Sequence, residues 1–195
     1  MPRRLVLLFF LAGIAIGTAR AAAAPDVRIE QRGDGFTVSA RMWVGVARVT
    51  AWAVITDYNR LGDFVADMDE SRVVSPAGEP TLVRQTGAWK LFGIRVPVWI
   101  LAQVEEQPMR SVRFHSISGN VRVENGEWRI ADEGGGVTIT YQVECTPDFW
   151  VPPILGAVLI RRDVRARLQQ VAREMLRRDA AGRHVPSPTV PEPAT

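Results

Sequence analysis

Few side chains in this 195-residue sequence are of a type that does chemistry: one cysteine, Cys145, and two histidines, His115 and His184. Covalent catalysis needs a nucleophile beside a base, and proton transfer needs a donor and an acceptor aimed at one substrate atom. Cys145 has no basic neighbour in sequence to lower its pKa, so it reads as a small buried hydrophobe. His115 shares its strand parity with Arg113 and Ile117 and opposes Val112 and Phe114. It is either a solvated sheet-face histidine or a polar group at a cavity wall that orients a ligand carbonyl. His184 lies in the tail. Asp67, Asp69 and Glu70 bring three carboxylates together, but without a glycine turn or calcium-loop spacing they read as a solvated loop. A single cysteine also excludes an intrachain disulfide framework and a cysteine-cluster metal site. We expect no catalytic residue, no metal site and no cofactor.

The six tryptophans are more informative. Trp52 falls on a short helical pattern, and Trp89, Trp99, Trp128 and Trp150 fall in or beside strand patterns. Core packing and sheet cover account for most of them. Trp99 opposes the apolar parity of its strand and is expected on the outer face. Trp128 and Tyr141 lie on the inner parity, where an indole N–H and a phenol O–H each offer one directional contact in an apolar site.

The elements that position these residues follow from hydrophobic periodicity. Val27–Gln31 and Phe36–Val44 read as a hairpin around Gly33-Asp34-Gly35. Thr50 is placed as the N-cap of a helix carrying Trp52, Ile55 and Tyr58, with a second helical turn over Phe64–Met68. From Ser71 to Cys145 the pattern is β throughout. Ile94, Val96, Val98, Ile100, Ala102 and Val104 alternate strictly, as do Val137, Ile139, Tyr141, Val143 and Cys145. The apolar parity flips between Val123 and Trp128, which predicts a bulge or bend at Gly126. After Pro152-Pro153, the residues Ala157, Ile160, Val164, Leu168, Val171 and Met175 form one apolar helical stripe, with a stop near Gly182. Most arginines of that helix lie off the stripe.

Charge resolves into two segments. Residues 1–24 have Arg3 and Arg4, an apolar run Leu5–Ile16, and small residues with A-x-A cleavage points ending at Ala21 or Ala24. We read them as a cleaved signal peptide, in preference to an uncleaved anchor, which predicts a periplasmic or secreted protein. Three of the 24 basic residues and none of the 21 acidic ones lie there, so the remainder is formally neutral despite the net +3 of the whole. Nucleic acid is therefore not the expected partner. Residues 25–181 form the domain, and the proline-rich 182–195 read as a disordered tail.

One curved antiparallel sheet with one long amphipathic helix leaves a cavity between them. The fold class expected is α+β, a helix-grip of six to seven strands around the C-terminal helix with short helices after the first strands. Trp52-Ala53-Val54-Ile55-Thr56-Asp57-Tyr58-Asn59-Arg60-Leu61 and Asp63-Phe64-Val65 resemble the opening motif of the START-like (SRPBCC) superfamily. Gly126-Glu127-Trp128-Arg129-Ile130 with Gly135–Tyr141, and Pro147 with Pro152-Pro153, resemble its polyketide cyclase/dehydrase, lipid-transport and coenzyme-Q-binding-like branch. The resemblance spans about Gly35 to Arg178 and implies a cavity for a lipid, isoprenoid, quinone or polyketide-like molecule, without implying a reaction.

Trp52, Tyr58, Val98, Phe114, His115, Trp128, Tyr141, Leu155 and Leu159 are the cavity candidates. Phe149, Trp150, Ile154, Arg161 and Arg162 are candidates for a pocket mouth or a transient membrane contact, an apolar wedge with arginines at headgroup level. Helix-start packing is the plainer account of that segment. The leading expectation is a non-catalytic carrier of a hydrophobic small molecule. The alternatives are a cyclase or dehydratase, with His115, Tyr141 or Asp57 moving a proton, and a protein-interaction module.

Overall fold

The structure is a computed structural model and describes residues 21–91, 93–151 and 153–183. Strands β1 (Asp26–Arg32) and β2 (Gly35–Val44) are joined by a two-residue turn in which Gly33 takes φ +60°. A left-handed φ costs glycine nothing because it has no Cβ. Phe36, Val38, Ala40, Met42 and Val44 are all buried, the period-two signature of a strand with one face on the core.

Helix α1 (Arg48–Ile55) follows, then a single 3-10 turn (Tyr58–Arg60) and α2 (Leu61–Phe64). Thr50 is not the cap of α1. Ala47 holds the N-cap position, and Thr50 sits inside the first turn. The capping carboxylate comes instead from Asp179 on the last helix, which accepts the Ala47 N–H at 3.3 Å and the Thr50 hydroxyl at 3.1 Å. Tyr58 lies beyond α1, and the second helical turn ends at Phe64 rather than Met68.

Met68 opens β3 (Met68–Val73), followed by β4 (Thr81–Leu91), β5 (Ile94–Gln107), β6 (Ser111–Gly119), β7 (Val121–Glu133) and β8 (Gly136–Pro147). All pair antiparallel in one sheet of order β1-β2-β8-β7-β6-β5-β4-β3. The sheet thus has eight strands, against six to seven expected. The strand that escaped is β3, a short edge strand carrying Asp69, Glu70 and Arg72. Charge on an edge strand blocks unwanted pairing and also erases the apolar alternation.

The bulge in β7 falls at Glu124, between the pairs Val123↔Cys145 and Asn125↔Glu144, two residues before the expected position. Gly126 has a different task, since a Cβ there would lie inside the Phe114 ring. β6 and β7 pair only from Ser111↔Arg129 to Phe114↔Gly126. Beyond that point the Ser116 hydroxyl oxygen accepts the Val123 N–H at 2.8 Å, satisfying a backbone donor the ladder has released.

Helix α3 (Pro153–Arg183), 31 residues and about 46 Å long, crosses the concave face of the sheet. Ile160, Leu168, Val171 and Met175 are buried, as the stripe predicts. Its C-terminal half is fixed by charge. Glu174 accepts from Arg177 at 2.7 Å and from Arg178 at 2.6 Å, and Arg178 continues to Asp57 at 2.8 Å. These bonds, Arg177 foremost, hold the Glu174 carboxyl down at about 2. Among the described residues no helix is long and apolar enough to cross a membrane.

Candidate functional site

Between the sheet and α3 lies a cavity of about 250 Å³. Strand parity puts Ala102 and Val104 of β5, Val112 and Phe114 of β6, and Val143 and Cys145 of β8 on its walls, while Leu159, Ile160 and Val164 of α3 cover it. The aromatic part of the wall is set by register. Trp128 pairs directly with Tyr141 across β7 and β8, their ring centroids 4.5 Å apart. Tyr141 stacks on Phe114 at 6.4 Å and 18°. Phe114 pairs with Gly126, whose missing side chain leaves room for the ring.

The two tyrosines in the wall differ. The Tyr58 hydroxyl donates to Glu106 Oε1 at 2.7 Å, and burial, reinforced by that carboxylate, pushes its pKa well above the usual value. Tyr141 has no hydrogen-bond partner among the described residues. Burial raises its pKa too, the nearby Cys145 adds to this, and the positive charge of Arg167 opposes it. Burial pushes the Cys145 thiol up to about 11, which leaves little thiolate at neutral pH.

Four charged residues interrupt this apolar lining: Asp67, Lys90, Asp163 and Arg167. Sequence reasoning missed them. The arginines of α3 read as lying mostly off the stripe, yet Arg167 stands seven residues after Ile160 and four before Val171, on the stripe itself. That spacing was the available signal. Asp67 belongs to an acidic run that reads as a solvated loop, but its side chain is only 14% exposed.

Of the expected site residues, Tyr58, Val98, Phe114, Trp128, Tyr141 and Leu159 line the cavity. Trp52 does not, being half-buried against the core from α1. His115 does not either. The parity that turns Phe114 inward turns His115 outward, into a polar groove with Arg113, Glu127 and Arg129. Asp57 is engaged by Arg178 and lies off the cavity lining. The side chains of Ile154 and Leu155 fall outside the described residues. Phe149 meets Trp89 edge-to-face at 5.6 Å and 80°, whereas Trp150 is 76% exposed, and Arg161 and Arg162 are exposed. Gly156 is a packing seat, since a Cβ there would overlap Val151.

The sequence profile of the family described as polyketide cyclase / dehydrase and lipid transport matches residues 44–172. The chain belongs to this family. Its fold recurs in solved structures at low identity. The Thermus thermophilus protein TTHA0849 is 20% identical with a TM-score of 0.58, covering 73% of this chain and 98% of that one. The Zhui aromatase/cyclase from Streptomyces sp. R1128 is 16% identical with a TM-score of 0.62, covering 76% and 98%. The STAR-related lipid transfer protein from Xanthomonas axonopodis is 13% identical with a TM-score of 0.61, covering 80% and 98%. No curated protein matches the sequence significantly. The family spans both lipid transfer and cyclisation, so membership establishes the START helix-grip fold and specifies neither activity.

Proposed function

We propose that this protein binds and carries a hydrophobic small molecule, a lipid, isoprenoid, quinone or polyketide-like compound, without transforming it. The observation that carries this reading is the cavity: an aromatic and aliphatic interior in which the Tyr141 hydroxyl is left without a protein partner among the described residues. Tyr141 is half-buried on the cavity lining, where a hydroxyl without a protein partner can donate to a ligand acceptor. Titration with the neutral fluorophore N-phenyl-1-naphthylamine and native mass spectrometry of protein purified from its own host are the tests. Saturable binding and a co-purifying apolar mass support the reading, and a protein that is empty and binds no probe overturns it.

The same hydroxyl favours a second reading, a cyclase or dehydratase in which Tyr141 delivers a proton. If Tyr141→Phe leaves turnover of a candidate polyketide unchanged, that role fails.

Export and membrane contact belong to the same proposal. Phe149 packs on Trp89, whose cross-strand partner Val96 is two residues from Ile94, 68% exposed. Trp150 and Ile94 are exposed apolar side chains and Arg161 and Arg162 are exposed cations, a combination suited to an anionic bilayer surface where ligand is exchanged.

A further inference from the structure

Four ionisable residues lining an otherwise apolar cavity are costly unless matched, so their pairing shows what the site lacks. Asp67 is matched by Lys90 at 2.9 Å and Arg95 at 3.4 Å. Arg167 is matched less well. Its Nη2 donates to the Ala88 carbonyl at 3.1 Å, and its Nε lies 2.9 Å from Asp163 Oδ2. That buried Nε pairs with the carboxylate by charge and proximity, without a hydrogen bond of good geometry. Burial raises the Asp163 pKa against the opposing pull of Arg167.

The surroundings hold this pole in place. Asp67 takes a left-handed φ of +63°, which aspartate tolerates better than most residues, and Gly87 lacks the Cβ that would overlap the Asp67 carbonyl.

We propose that Arg167 is the headgroup counter-ion of the cavity, and that the carried molecule is an amphiphile whose single carboxylate seats against its guanidinium, with the apolar chain lying along the strands. This rests on the ligand-binding reading above and adds the headgroup class to it. A guanidinium fork matches carboxylate geometry. Lys90, Arg95 and Arg167 face Asp67 and Asp163, with Arg95 shared with the exposed Asp69, so a monoanion comes nearer to balancing the pole than a phosphate monoester dianion, which overcharges it.

The test is displacement of N-phenyl-1-naphthylamine by dodecanoate, dodecanol and dodecyl phosphate. For the unmodified protein, dodecanoate is expected to bind about tenfold tighter than dodecanol, the scale of one charge-assisted hydrogen bond. Arg167→Met keeps the aliphatic stem and should abolish that preference, leaving dodecanol within about twofold. Asp163→Asn removes the competing carboxylate and should tighten dodecanoate alone. Equal affinity of the unmodified protein for acid and alcohol, equal weakening of both by Arg167→Met, or unchanged dodecanoate affinity in Asp163→Asn overturns the headgroup assignment while leaving the carrier reading intact. Tighter binding of dodecyl phosphate than of dodecanoate overturns the carboxylate class. Failure of the neutral probe itself to bind overturns the carrier reading, and the headgroup with it.

Discussion

Gly126 and Phe114 form a tight constraint on the cavity wall. A Cβ at position 126 has no space while the Phe114 ring is in place. Gly126→Ala should therefore destabilise by about 1–3 kcal/mol through overpacking, and Phe114→Leu should recover part of the loss, as read by thermal melting. Cys145 reports on the same interior. With its thiol pushed up to about 11 from 9.0, thiolate at pH 8 is about a hundredfold scarcer than for an unperturbed thiol. Labelling by a thiol reagent should be slower by about that factor and should slow further when N-phenyl-1-naphthylamine fills the cavity. Faster labelling in the presence of probe would place the probe elsewhere.

At the scale of elements, α3 is held unequally along its length. Glu174, Arg178 and Asp57 tie its C-terminal half to the segment following α1, and Asp179 caps α1 itself. Glu174→Gln should cost about 3 kcal/mol, because Arg178 would be left buried without its strongest partner. The pH dependence follows from the sign of the shift. Glu174 has a folded pKa of about 2, below its ordinary 4.5, so its contribution is present above about pH 4.5 and is lost as pH falls toward 2. The melting gap between the unmodified protein and Glu174→Gln should accordingly be full at pH 6 and narrow on acidification. At the other end of α3, Trp150→Ser should weaken sedimentation with anionic vesicles while leaving affinity for N-phenyl-1-naphthylamine unchanged. A loss of both would make Trp150 part of the cavity instead. His115→Ala, on the outer face, should change neither.

For the whole molecule, the residues around the expected cleavage points touch the fold. The Gly45 N–H donates to the Ala21 carbonyl, Ala22 bridges Val44, and the Ala23 N–H donates to the Trp43 carbonyl. Processing after Ala24 would remove all of these, whereas processing after Ala21 would keep the pairing of Ala22 and Ala23. A chain beginning at Ala22 should be about 1 kcal/mol more stable than one beginning at Pro25, on the scale of a net backbone hydrogen bond. N-terminal sequencing of protein purified from its own host tests whether the chain is processed and at which of the two points.

Strand parity along β5 and β8 and the stripe along α3 were legible in the sequence, because burying one face of a regular element imposes a two- or 3.6-residue period. From them follow the helix-grip fold and the inward position of Val98, Phe114, Trp128 and Tyr141. The β7 bulge was legible only to within two residues, since a parity flip marks a region rather than a position. The place of Arg167 on the stripe was there to be read, but the pairing of the charged pole was decided by tertiary structure. Arg167 finds the Ala88 carbonyl 79 residues away, and Asp67 finds Lys90 because Gly87 lets one backbone approach another. Sequence periodicity records which face of an element is buried, but the partner that makes a buried charge tolerable comes from another element, and only the folded chain brings the two together.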